Sequence, residues 1–383
     1  MDLFGEEPKI IETIIAEEAN ALPEATQYAV SSHTTGAMIG HEAIEDLLLE
    51  QFNSGRMPHA LIFSGASGIG KATMAYRFAR FLLKNKPTDP NQNSMFDDAP
   101  AKATSLQVGE DDPVFRRVAS GGHPDLLSIR REYDEAKNRF KASVAVDDIR
   151  KVAPFLRMTA SDGGWRVVVI DDADTMTPSS QNALLKILEE PPSNTVLILV
   201  AHRLGSMIPT IRSRARIINF NTLDEDTMFR LLQVHGHQFT EDQARTLIHL
   251  SGRSFGRALQ LVDEGGLDVM EQVIDVFEGY PDWDWVKIHG LADQLSGMGK
   301  DQAFASFAGI LPWMIGQLTL AKAKGQSKAG QPLDGAAFTK LVQNSSLEHL
   351  GKICENLQEH FASVQYANLD KKQGVIGAFS LIS

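Results

Sequence analysis

The stretch HALIFSGASGIGKATMAYRFARFLLK, residues 59–84, decides the fold. Its opening, HALIFSG, is a short apolar run entering a glycine cluster, as a buried parallel strand enters a phosphate loop. Its close, KATMAYRFARFLLK (71–84), aligns Met74, Ala75, Phe78 and Leu82 on one helical face. Between them Gly65, Gly70 and Lys71 match the pattern G-x-x-x-x-G-K-[ST], and Gly68 adds a third glycine. Such glycines let successive backbone N–H groups face a phosphate, while the helix N-terminus and Lys71 add positive charge. The pattern breaks at its last position. A hydroxyl directly after the lysine holds magnesium, and here that residue is Ala72, with Thr73 one step late. One residue along a helix turns the side chain by about 100°, so Thr73 cannot stand in.

A second apolar run, WRVVVIDDAD (165–174), reads as a strand ending in carboxylates. Asp171 is placed to orient a magnesium shell. Asp172 stands where a glutamate usually polarises the attacking water, and it is shorter by one methylene, roughly 1.5 Å. A misplacement of about 1 Å can cost on the order of a hundredfold in rate. The other reading, that Asp172 only caps a loop, stays open. Ala72 and Asp172 together predict a pocket that holds a nucleotide, ATP or ADP, with weak magnesium dependence and little turnover.

TPSSQNALLKILEEPP (177–192) has helix punctuation: Thr177 as cap, Pro178 in the first turn and a double proline as stop. TVLILVAH (195–202) and RARIINF (214–220) read as further strands. Arg214, inside IRSRARIINF (211–220), is either a solvated surface charge or an arginine offered to a neighbour's γ-phosphate.

Composition narrows the classes. With 383 residues, 43% of them hydrophobic, the chain is long enough for two or three domains with real cores. No apolar run reaches the ~18 residues of a membrane span, and the acidic start lacks the form of a signal peptide. The expectation is a cytoplasmic protein with no membrane contact. Cys354 is the only cysteine, which excludes an internal disulfide and any site built on several thiolates. His235 and His237 come closest to a histidine pair and read as surface residues. A net charge of −12 argues against a protein that wraps duplex DNA by itself.

Along the chain, residues 1–37 read as an acidic, weakly structured arm. HEAIEDLLLEQFNSG (41–55) and VDDIRKVAPFL (146–156) read as helices, and the Pro/Asn/Asp-rich 86–113 as irregular and mobile. From Thr222 the pattern is helical throughout, with TLDE (222–225) and TEDQ (240–243) both fitting a capping box. The order is an α/β domain to about 221, a small helical domain to about 280 and a helical C-terminal domain.

RMPHALIFSGASGIGKATMAYRFARFLL, HPDLLSI (123–129), TPSSQNALLKILEEPP and PTIRSRA (209–215) occur in an order that resembles the clamp-loader subunits of bacterial DNA polymerase III, within the AAA+ family. The resemblance covers about 38–265 clearly. The C-terminal region resembles them loosely, through its length, its helicity and ANLDKKQ (367–373). It implies an α/β AAA+ P-loop domain with a parallel sheet over 38–221, a helical lid over 222–280 and a helical collar over 281–383 that joins a pentameric ring. It implies partnership with delta and tau/gamma-like subunits, with a sliding clamp and with primed DNA inside that assembly. It further implies that Arg214, in Ser213-Arg214-Ala215 where relatives have Ser-Arg-Cys, is a finger for an adjacent ATP site. Arg257 matches the lid arginine that senses nucleotide. The nucleotide-binding set is then Gly65, Gly68, Gly70, Lys71, Thr73, Asp171, Asp172 and Arg257. Many relatives carry a four-cysteine zinc module where this chain has its 86–122 insertion, and that insertion has no cysteine, so no zinc is expected there. Two other readings remain: a working AAA+ motor, and a stand-alone nucleotide switch.

Overall fold

The computed structural model describes residues 32–87, 102–134, 139–161, 163–234, 239–297, 299–326, 329–330, 332–367 and 369–382. The chain divides into two compact units, Met1–Leu223 and Asp224–Ser383. Most of the acidic arm, part of the insertion, and His235 and His237 lie outside the described residues.

The first unit is built on five parallel strands: β1 (Ala60–Ser64), β2 (Leu126–Ile129), β5 (Arg166–Ile170), β6 (Thr195–Ala201) and β7 (Arg216–Asn219), in the order β2-β5-β6-β1-β7. A short antiparallel pair, β3 (Tyr133–Asp134) and β4 (Arg139–Phe140), stands apart from it. Apolar runs without polar alternation are what a sheet covered on both faces requires. Alternate strand residues fill two cores. Leu61, Phe63, Val167, Val169, Val196 and Ile198 pack with helices α1 (Glu42–Asn53) and α2 (Lys71–Lys84). Ile62, Val168, Ile170, Leu197 and Leu199 face the other way, toward α4 (Val146–Arg150), α5 (Val152–Arg157) and α6 (Pro178–Glu189). This is the two-sided α/β P-loop fold that the AAA+ resemblance implied.

Local expectations hold where capping chemistry is strong. Thr177 accepts from the N–H of Ser180 and Pro178 opens α6. The 146–156 segment is two short helices rather than one, α4 and α5 meeting at Lys151. The described residues of the 86–113 stretch up to Asp112 are irregular, as read, but they are tied down rather than loose. Leu106 and Val108 are buried, and Asp112 caps a further helix, α3 (Pro113–Ala119), by accepting from Val114 N–H. The end of the arm is also ordered: residues 32–34 form a helical turn. Two buried arginines of α2 grip this turn and the strap that joins it to α1. Arg80 donates to the carbonyls of His33 (2.8 Å) and Thr35 (2.7 Å), and Arg77 donates to that of Gly36 (3.2 Å) and to Glu45. A polar-looking segment is thus fixed through its backbone, which no side-chain pattern announces.

The loop after Ser206 leads through α7 (Pro209–Arg212) into β7. The second unit holds α8 (Glu225–Val234), α9 (Glu241–Leu250), α10 (Phe255–Asp263), α11 (Gly266–Phe277), α12 (Trp285–Ser296), α13 (Asp301–Ala323), α14 (Ala336–Asn344), α15 (Leu347–Tyr366) and α16 (Lys371–Ser380). The Thr240 capping box is complete, with Thr240 and Gln243 bonded in both directions. The 222–225 box is not the cap of α8: Asp224 takes that place, accepting from Thr227 N–H (2.8 Å) and Thr227 Oγ1 (2.8 Å). Contrary to the expectation from the sequence, α13 has the length and apolar composition to cross a membrane. Its Phe304, Phe307, Leu311, Met314 and Leu318 are instead the centre of the core shared by α11–α16.

Candidate nucleotide site

The glycine loop joins β1 to α2, and its shape is set by close backbone approach. Gly65, Gly68 and Gly70 have φ of 156°, 73° and 99°. A Cβ on Gly65 would lie 2.5 Å from the carbonyl oxygen of Phe220, because the end of β7 presses against the loop. Both neighbouring strands pin this start: Gly65 N–H donates to Ala201 O, and Phe220 N–H to Ser64 O. The strap residues Met38 and His41 lie beside Gly70, and His41 Nε2 is 2.7 Å from Ile69 O.

Lys71, the first residue of α2, is only 2% exposed. Its ammonium donates to Gly65 O (2.8 Å), to Ala66 O and to His202 Nδ1 (2.9 Å). Burial pulls its pKa from 10.5 down to about 8, against the opposing pull of the Asp171, Asp174 and Asp172 carboxylates.

The carboxylates stand at the end of β5. Burial and then the neighbouring Asp172 charge push the Asp171 carboxyl up from its ordinary range, although Asp172 N–H donates to it at 3.0 Å. Asp172 has left-handed backbone, φ 51° and ψ 37°, and opens a 3₁₀ turn over Ala173–Thr175. Burial would raise its carboxyl too, but His202 and Arg131 outweigh it and hold the group below the ordinary range. Arg131 Nε donates to Asp172 Oδ2 at 2.6 Å, and His202 Nε2 is 2.7 Å from Oδ1. Asp174 is structural: it is buried and accepts from the backbone N–H groups of His202 (2.9 Å) and Arg203 (3.2 Å), tying the ends of β5 and β6 together.

Of the residues singled out from sequence, the structure brings Gly65, Gly68, Gly70, Lys71, Asp171 and Asp172 to one place. Ala72 and Thr73 follow Lys71 on α2, both half-buried, so the late hydroxyl leaves the loop one helical step further round. The glycines give the loop the backbone shape that phosphate chemistry needs, and Lys71 stands at the start of the helix that follows it, its ammonium engaged by Gly65 O, Ala66 O and His202 Nδ1. The metal position lacks its hydroxyl ligand. Arg257 belongs to the second unit, where it is the third residue of α10 and its guanidinium lies beside Gly309 of α13.

Arg214 has separate surroundings. Its side chain is 37% exposed, bonded to Glu189 (3.0 Å), Thr210 O (3.2 Å) and Ser213 Oγ (3.4 Å). Ala215 packs on the core beneath it. Buried Gln181 holds this region in place. Its amide donates to Met176 O and Ser206 O, and its carbonyl accepts from Ile208 N–H, so α6 is clamped to the loop leading into α7.

Sequence reasoning missed His202, Arg131 and Gln181. A signal for the first two existed. They follow the carboxyl ends of β6 and β2, on either side of β5, and that edge of an open parallel sheet is where ligands bind.

Residues 40–224 match the family described as DNA polymerase III, delta subunit. The DNA polymerase III delta-prime subunit of Pseudomonas aeruginosa is 35% identical over 156 residues, 41% of this chain and 41% of that protein. The Escherichia coli delta-prime subunit is 27% identical over 257 residues, covering 67% and 68% respectively. The gamma subunit of Buchnera aphidicola is 27% identical over 230 residues, covering 59% and 56%. These matches span between about two fifths and two thirds of the relatives' own lengths. Among solved structures, a gamma-subunit-related protein of Thermotoga maritima is 16% identical, with a TM-score of 0.40 over 89% of this chain and 97% of that one. Residues 40–224, which hold the glycine loop, the paired aspartates and Arg214, thus match the DNA polymerase III delta-subunit family, and the relatives similar to this chain include both delta-prime and gamma subunits.

Proposed function

We propose that the chain is a stator of the bacterial clamp loader, a delta-prime-like subunit that helps place the sliding clamp on primed DNA without turning over a nucleotide of its own. The observation that carries this reading is the state of Asp172. Both oxygens of the carboxylate that would polarise water are taken, one by Arg131 and one by His202. Ala72 compounds the defect by removing the magnesium-holding hydroxyl. Gly65, Gly68, Gly70 and Lys71 retain the means to hold ATP or ADP, with Asp171 and Thr73 contributing little to catalysis, and nucleotide sensing by Arg257 is part of the same proposal.

Arg214 supplies what the home site lacks, as a finger for the ATP site of an adjacent tau/gamma-like subunit. Its ion pair with Glu189 is at the surface, where such pairs are worth about 0–1 kcal/mol, so a neighbour's phosphate can displace it. The lid over 222–280, the collar over 281–383, the cytoplasmic location and the contacts with delta, clamp and primed DNA belong to the same proposal. An arginine finger is worth ~10³ or more at the site it serves. Arg214→Ala in a reconstituted loader is therefore expected to lower the DNA-stimulated ATPase of the assembly while leaving its composition intact. An unchanged rate removes the finger role.

A further inference from the structure

We propose that His202 is a latch on Lys71, occupying the N–H that the phosphate of a nucleoside di- or triphosphate would need, and so holding the affinity of this pocket down. The inference rests on the reading of residues 65–71 as a nucleotide loop. A lysine ammonium has three N–H groups and no more. Two of them go to Gly65 O and Ala66 O, contacts within the loop itself. The third goes to His202 Nδ1 at 2.9 Å.

For Nδ1 to accept, the ring must be neutral with its proton on Nε2. Asp172 fixes that tautomer, because its Oδ1 lies 2.7 Å from Nε2 and accepts from it. Asp172 is fixed in turn by Arg131 Nε at 2.6 Å. The backbone of His202 is also anchored, its N–H donating to Asp174. The ring is thus held from both ends, in line Arg131–Asp172–His202–Lys71. A phosphate reaching Lys71 must displace one of its three partners, and His202 is the one that comes from outside the loop.

The test is calorimetric titration of the full chain with ADP and with ATPγS, in EDTA so that the metal position plays no part. Wild type is compared with His202→Ala, His202→Thr, Lys71→Ala and the His202→Ala/Lys71→Ala double variant. A hydrogen bond to a charged group sets the scale, so both His202 variants are expected to bind about tenfold more tightly than wild type. The gain should vanish when Lys71 is absent. Equal or weaker binding by the His202 variants, with wild-type binding that Lys71→Ala abolishes, overturns the latch and leaves the pocket standing. A gain that persists without Lys71 also overturns it, since the ring would then be only an obstacle. Absence of binding in every chain overturns the latch and the nucleotide reading together.

Discussion

Ala72 and Lys71 are neighbours, yet one defines a loss and the other a retained capacity. The missing hydroxyl is irreparable from within the helix, because Thr73 points about 100° away. Lys71 keeps its place at the cost of burial, which has a measurable consequence. Its pKa falls from 10.5 to about 8, so between those values the unfolded chain binds more protons than the folded one. Stability then rises with pH across this window, the burden being fully present below pH 8. Tyr76, pushed up to about 12 chiefly by burial, acts oppositely above pH 10 and cancels when wild type and Lys71→Met are compared. Urea unfolding from pH 8 to 10.5 should show wild type gaining about 2–3 kcal/mol on the variant. A pH-independent difference would show that Lys71 is not buried as a cation. Lys71, Asp171, Asp172 and Arg214 were legible because each sits at a fixed offset from a strand or helix start. Arg131 and His202 were not, since their partnership depends on which strands become neighbours.

At the scale of elements, strand and helix identity followed from uninterrupted apolar runs and capping residues. The errors came where backbone or distant side chains decide. Residues 32–36 looked like an arm because Arg77 and Arg80, which hold them, lie over forty residues away. The 222–225 box failed because two capping acceptors compete within three residues, and Asp224 sits nearer the helix. The 146–156 run carried a single helical period through a break at Lys151 that its pattern does not mark. The most constrained junction is that of β1, the glycine loop and β7. Gly65→Ala would press a Cβ against the Phe220 carbonyl, which belongs to backbone and cannot swing aside. Overpacking of this kind costs about 1–3 kcal/mol. Equilibrium denaturation should register that loss, and no loss would mean that β7 can retreat from the loop.

Over the whole molecule, the two units show different kinds of legibility. The sheet unit was readable because its motifs fix which strands carry the loop and the carboxylates. The helical unit gave helices but not partners: Phe304, Phe307, Phe361 and Phe379 meet in one core although no spacing in the sequence links them. A net charge of −12 accords with the proposal of a subunit that acts through protein neighbours rather than by wrapping DNA. The decisive measurement is phosphate release by the purified chain with saturating magnesium-ATP. The account predicts a rate indistinguishable from that of Lys71→Ala. Lys71-dependent turnover near 1 s⁻¹ or faster, the ordinary range of working enzymes, would contradict it.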